Sequence, residues 1–153
     1  MLAQAFVATH EQGITMKKIL CALWVALLLS TTVQADDHAG VTVAELAKTG
    51  LSWDGTPLPA YPQERPEISI LRITIPVGAA LPLHKHPVIN AGVLLRGELT
   101  VITEDDRTLL LKAGDPIVEV VNKWHHGKNT GNGPAEILVF YAGVQDTPLT
   151  IKK

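Results

Sequence analysis

Four of the six histidines stand in two places, His84-Lys85-His86 and His125-His126. A neutral imidazole offers a nitrogen lone pair to a metal, and two imidazoles one residue apart on a strand project from the same face. One small ion can touch both. A third histidine, from a strand roughly forty residues later, completes a facial set of three nitrogens with positions left open for water or substrate. The parity of His84 and His86 leads through Val88 to Asn90, provided that Pro87 leaves the register intact. Asn90 is then either a fourth ligand or a core amide satisfied by backbone. His126 has the opposite parity to His125 and falls outside the set. Trp124 reads as a packing residue rather than a substrate platform. Glu119 is the one candidate general base between Gly78 and Asn129, and it faces either the site or solvent.

The elements that hold these residues are short apolar runs broken by turn residues. They are Ile68–Ile75, Ile89–Leu95, Leu99–Thr103, Thr108–Leu111, Ile117–Val121 and Ala135–Tyr141, separated by Gly, Pro, Asn and Asp. Regular spacing rich in Val, Ile and Leu predicts an all-β fold, an antiparallel sandwich or barrel. Before it, Val41–Lys48 fits a strand or a short helix. Pro57, Pro59, Pro62 and Pro66 then impose an ordered loop over Trp53–Pro66, expected to be packed down by Trp53, Leu58 and Tyr61. The expected organisation is residues 1–35 as a targeting segment, 36–67 as an N-terminal strand and loop, and 68–153 as the barrel.

A chain of 153 residues fits one domain, and 13 Lys+Arg against 15 Asp+Glu leaves no basic surplus for nucleic acid. Lys17-Lys18, the apolar run Ile19–Leu29 and Val33-Gln34-Ala35 have the order of a signal peptide, with cleavage expected after Ala35. That run is too short for the ~20 residues a bilayer-spanning helix needs, so no membrane partner is expected after cleavage. Residues 1–15 precede the better start at Met16. Cys21 is the only cysteine and lies inside the apolar run, so the mature chain has neither disulfide nor thiolate chemistry. Its location is expected to be periplasmic or secreted.

Two spacings carry a family resemblance. Gly78, five residues, His84-Lys85-His86, three residues, Asn90, six residues and Gly97 resemble the first motif of the cupin superfamily. Gly114, five residues, Val120-Val121-Asn122, two residues, His125, three residues and Asn129 resemble the second. The resemblance implies a double-stranded β-helix (jelly-roll) barrel holding one divalent transition metal (Fe, Mn, Ni, Cu or Zn) through His84, His86 and His125. The family's fourth ligand is usually a Glu at the position of Asn90, and a neutral amide is a poorer ligand than a carboxylate. The family's Pro-x-Gly reads Val120-Val121-Asn122, where Asn substitutes for Gly if the turn needs a left-handed residue.

The face opposite Asn90, Ile89, Ala91, Val93 and Leu95, is wholly apolar, whereas a barrel wall in water should alternate. A homodimer is the simplest cover. The function expected is therefore an exported, metal-binding cupin that acts on or binds a small molecule, either as a three-His metal-dependent dioxygenase or as a non-catalytic ligand-binding or metal-sensing module. Its metal is expected to leave as pH falls below the ordinary imidazole value of ~6.5.

Overall fold

The computed structural model describes residues 40–153; the expected targeting segment, its cleavage site and Cys21 lie outside the described residues. Among the described residues there is no helix, hence none long and apolar enough to cross a membrane. The strands are β1 (Pro66–Ile75), β2 (His84–Lys85), β3 (Ile89–Arg96), β4 (Glu98–Thr103), β5 (Thr108–Lys112), β6 (Pro116–Val118), β7 (His125–Asn129), β8 (Ala135–Val144) and β9 (Ile151–Lys152). They form two antiparallel sheets, one in the order β1-β8-β3-β6 and the other β5-β4-β7-β2-β9. This is the all-β double-sheet barrel expected from the sequence.

Where a run keeps one face on the core, as in β3, β4 and β8, burial alternates residue by residue, whereas β1 is exposed along most of its length. Leu94, Leu99, Val101, Leu111, Ile137 and Val139 meet between the sheets and form the centre of the core. At Gly97, between β3 and β4, φ is 80°, and a Cβ would lie 2.7 Å from the carbonyl oxygen of Pro134. Only glycine fits that turn. Asn129 closes the opposite strand: its amide donates to the carbonyls of Ile75 at 2.8 Å and Gly133 at 2.9 Å and accepts from the Gly131 amide at 3.0 Å. The last residue of the second motif is thus a buried structural clamp.

Ahead of β1, residues 41–49 form neither strand nor helix, and Leu51 makes a single bridge to Pro57. The Pro-rich loop is held chiefly by polar contacts rather than by aromatic packing. Tyr61, expected to pack, is 72% exposed. Trp53 does pack on the core, its amide donates to the Val118 carbonyl at 2.9 Å, and the Ser52 hydroxyl donates to the Glu119 carbonyl at 2.8 Å. Lys123 Nζ joins Asp54 at 2.8 Å and Asp105 at 2.9 Å. Burial alone would raise the Asp54 pKa, but hydrogen bonds from Lys123 and Thr56 outweigh it and hold the carboxyl at about 2. These contacts fasten the loop to the segment that carries Glu119 and His125.

The outward face of the first sheet is apolar across its strands. Ile70, Phe140, Ala91 and Val118 stand in one cross-strand row, with Leu138, Val93 and Pro116 in the next. Ile68, Ile70, Leu95 and Phe140 are 65%, 56%, 42% and 45% exposed. Leu46 and Ala47 lie along one side of this face and leave the rest open. Arg72 and Arg96 flank Glu136 at its end, 3.6 and 3.8 Å away, which gives the apolar surface a charged rim.

Candidate metal centre

Burial alternates without interruption from His84 through His86 and Val88 to Asn90, so Pro87 does not break the register. His84 pairs directly across the ladder with His125, and His86 bridges Val121. The sequence separation between the motifs is therefore spanned by one strand pairing. Asn122, whose amide donates to the His86 carbonyl at 2.7 Å, has φ 58°: it takes the left-handed conformation that the missing glycine would have supplied.

The three imidazoles form a nearly equilateral triangle. Ring centroids are 4.9 Å apart for His84 and His86, 4.5 Å for His84 and His125, and 5.0 Å for His86 and His125. One nitrogen from each lies within 4.8 Å of the others, and all three residues are buried. Each Nδ1 contacts a backbone carbonyl, that of Pro82 at 2.7 Å, Leu149 at 2.8 Å and Lys123 at 2.9 Å respectively. A carbonyl accepts, so Nδ1 carries the hydrogen and the lone pair sits on Nε2. His125 Nε2, Asn90 Oδ1 and Glu119 Oε2 are all buried with no hydrogen-bond partner. Converging lone pairs with nothing to share are what a cation satisfies, so these residues fit a divalent metal. His126 is only half-buried on the other face and takes no part, and Trp124 lies beside the Lys85 and Lys153 ammonium groups.

Glu119 settles on the inward alternative: it lines the same cavity, its side chain is 12% exposed, and Oε2 is 3.7 Å from His125 Nε2. Tyr141, on the inner face of β8, lines it too, with its ring 5.4 Å from that of His86. It lies outside both motifs and was missed, because the apolar run Ala135–Tyr141 does not tell its inner face from its outer one. Burial pushes His86 down to about 4, against the opposing pull of its bond to Leu149, and lowers His84 and His125 as well. Burial likewise pushes the Glu119 carboxyl up to about 7, with the neighbouring His84 opposing, and burial and Glu119 together lift Tyr141 to about 12. Burial thus disfavours the charged form of each of these side chains.

The cavity is about 270 Å³. Beyond the histidines, Asn90, Glu119, Tyr141 and Thr150, its walls are mostly aliphatic, including Leu71, Ile73, Leu81, Leu99, Val101 and Val139, and among the described residues the one lysine or arginine on them is the exposed Lys152.

Residues 71–141 match the sequence model of the Cupin domain family. A germin-like protein of Oryza sativa subsp. japonica is 33% identical over 82 residues, which are 50% of this chain and 38% of the relative. The chain thus spans well under half the length of that relative. Among solved structures, an oxalate oxidase in complex with the substrate analogue glycolate aligns at 24% identity and a TM-score of 0.48, covering 56% of this chain and 45% of the other. A DMSP lyase from Ruegeria pomeroyi aligns at 22% identity and a TM-score of 0.49, covering 65% and 47%. The matched segment, residues 71–141, carries both the sequence of a Cupin domain and two antiparallel sheets around a buried histidine triangle.

Proposed function

We propose that this protein is a metal-binding cupin in which His84, His86 and His125 hold one divalent transition metal through Nε2, and that the centre acts on a small molecule with an apolar body and one oxygen-bearing end. The carrying observation is the set of three Nε2 lone pairs fixed by backbone carbonyls at one end of an aliphatic cavity. Bound there, the metal supplies Lewis acidity and, if redox-active, electron exchange with dioxygen. The chain's own contribution is to orient the imidazoles, exclude water with aliphatic walls and place the Glu119 carboxyl inside the cavity beside the metal and its ligand. That carboxyl favours catalysis by a three-His dioxygenase over the non-catalytic binding module. Asn90 presents an unpartnered oxygen to the same space.

The ligand's size follows from the volume: an apolar cavity of ~150 Å³ accommodates benzene, so 270 Å³ admits a substituted ring. A small dianion such as oxalate finds no buried cationic side chain and would meet Glu119. Calorimetric titration of the metal-loaded protein with phenol, 4-methylphenol, 4-ethylphenol and 4-propylphenol should show affinity rising roughly fourfold per methylene. Oxalate should not bind at comparable concentration. Oxalate binding as tight as 4-propylphenol, or a flat phenol series, contradicts the ligand class; oxygen uptake over phenols, diketones and thiols tests the dioxygenase.

We also propose export and a homodimer formed through the apolar outward sheet. The order Lys17-Lys18, apolar run, Val33-Gln34-Ala35 supports export, and N-terminal sequencing of the periplasmic or secreted protein should begin at Asp36. A full-length product retained in the cytosol contradicts it.

A further inference from the structure

Position 90 holds an amide where the resembled motif has a carboxylate, yet a carboxylate stands directly across the ladder. Ala91 pairs with Val118, and one step on the Glu119 amide donates to the Asn90 carbonyl at 3.0 Å. Asn90 and Glu119 are thus cross-strand neighbours whose side chains line one cavity. We propose that Glu119 supplies, from the adjoining strand, the metal-ligating carboxylate that Asn90 cannot, so that the centre is a three-His, one-Glu site with its acid moved across the sheet. This rests on the three-His reading above.

The geometry carries the assignment. Glu119 Oε2 and His125 Nε2 are 3.7 Å apart, and both are buried with no partner. His125 cannot donate to the carboxyl, because its hydrogen is committed on Nδ1 to the Lys123 carbonyl. Once Glu119 is ionised, two acceptors face each other in a dry site, and a metal cation between them takes the place of the proton. Ligands bound at ~2.1 Å to one ion stand about 3.0 to 4.2 Å apart, and 3.7 Å falls inside that span. Among the described residues no lysine or arginine reaches the carboxylate, since Lys152 is at the exposed rim, and the carboxylate's other polar neighbour, the Trp53 indole, is neutral. Oε2 lies outside the tight group formed by the three imidazoles, so ligation uses a rotation about the side-chain torsions. The backbone behind it is fixed by Ser52 and Trp53.

The experiment is a charge transplant read by metal affinity, using Zn²⁺ in chelator competition and the visible spectrum of the Co²⁺ form. Glu119→Asn should weaken Zn²⁺ binding roughly 100-fold or more and change the saturated Co²⁺ spectrum. Asn90→Ala should alter affinity less than about threefold, and Asn90→Glu combined with Glu119→Asn should recover it to within about tenfold of the parent. Glu119→Asn binding within threefold of the parent overturns the proposal. So does an unchanged Co²⁺ spectrum in that variant, or a double variant no tighter than Glu119→Asn. His84→Ala is the control: if it keeps the metal, the three-His reading fails, whereas if it loses the metal while Glu119→Asn does not, only the role of Glu119 fails.

Discussion

His84→Ala and His125→Ala should each abolish the metal-induced rise in melting temperature while leaving the metal-free barrel folded, and His126→Ala should change neither. A ligand that binds only the folded state at a hundred times its Kd stabilises it by ~2.7 kcal/mol. For a domain of this size that corresponds to a rise of roughly 10 °C or more in Tm. The three imidazoles border the cavity, whose open space already interrupts the packing around them, so truncating one costs less than emptying a filled core position. Retention of the full thermal shift by either variant would remove that histidine from the centre.

The pH dependence of the metal-free protein follows from opposed shifts. An unfolded histidine takes up its proton near pH 6.5, whereas folded His86 stays neutral to about 4, so its contribution to stability is complete above 6.5 and lost as pH falls through 4. Glu119 runs the other way: its pKa is raised to about 7, so its contribution is complete below the ordinary carboxylate value and lost as pH rises through 7. Stability should therefore peak on the acid side of neutrality, and metal should add most above pH 7, where the buried carboxylate lacks a counter-charge. The depressed imidazoles also move the expected loss of metal below the ~6.5 anticipated from unperturbed histidine.

Val93→Asp should convert a homodimer into monomers or insoluble protein. Val93 sits mid-sheet on the outward face with Leu138 and Pro116 beside it, and the apolar surface continues through Phe140 and Ile70. An aspartate there would place a charge with no partner in the middle of the proposed interface, a cost of several kcal/mol. Phe140→Asp, at a position already 45% exposed, tests the same face with less risk to the fold. Light scattering that reports a monomer for the unaltered protein contradicts the dimer.

The strands were legible in the sequence because runs rich in Val, Ile and Leu are broken by Gly, Pro, Asn and Asp. Ile89–Leu95 and Ala135–Tyr141 announce their strands but not their inner faces, since Val93, Leu138 and Phe140 make the outward side apolar too. β7 announces neither, because His-His-Gly-Lys-Asn contains no aliphatic residue; its inner face is made of His125, Gly127 and Asn129, which hydropathy does not register. Asn122 was readable as a residue able to take a left-handed turn because it stands where the resembled motif has Gly, and its φ of 58° does so. Tyr61 was not readable as exposed, since Asp54, Ser52 and Lys123 tether the loop through partners far away in the chain. Glu119, flanked by valines, stayed ambiguous in sequence because its direction depends on pairing with Asn90, a non-local fact.

The most direct measurement is anomalous diffraction from crystals of protein purified without added metal. It should show one peak within about 2.0 to 2.3 Å of Nε2 on each of His84, His86 and His125. A peak elsewhere, coordination through His126 instead of His125, or a fully loaded protein whose metal touches fewer than three of these imidazoles would contradict the proposed centre.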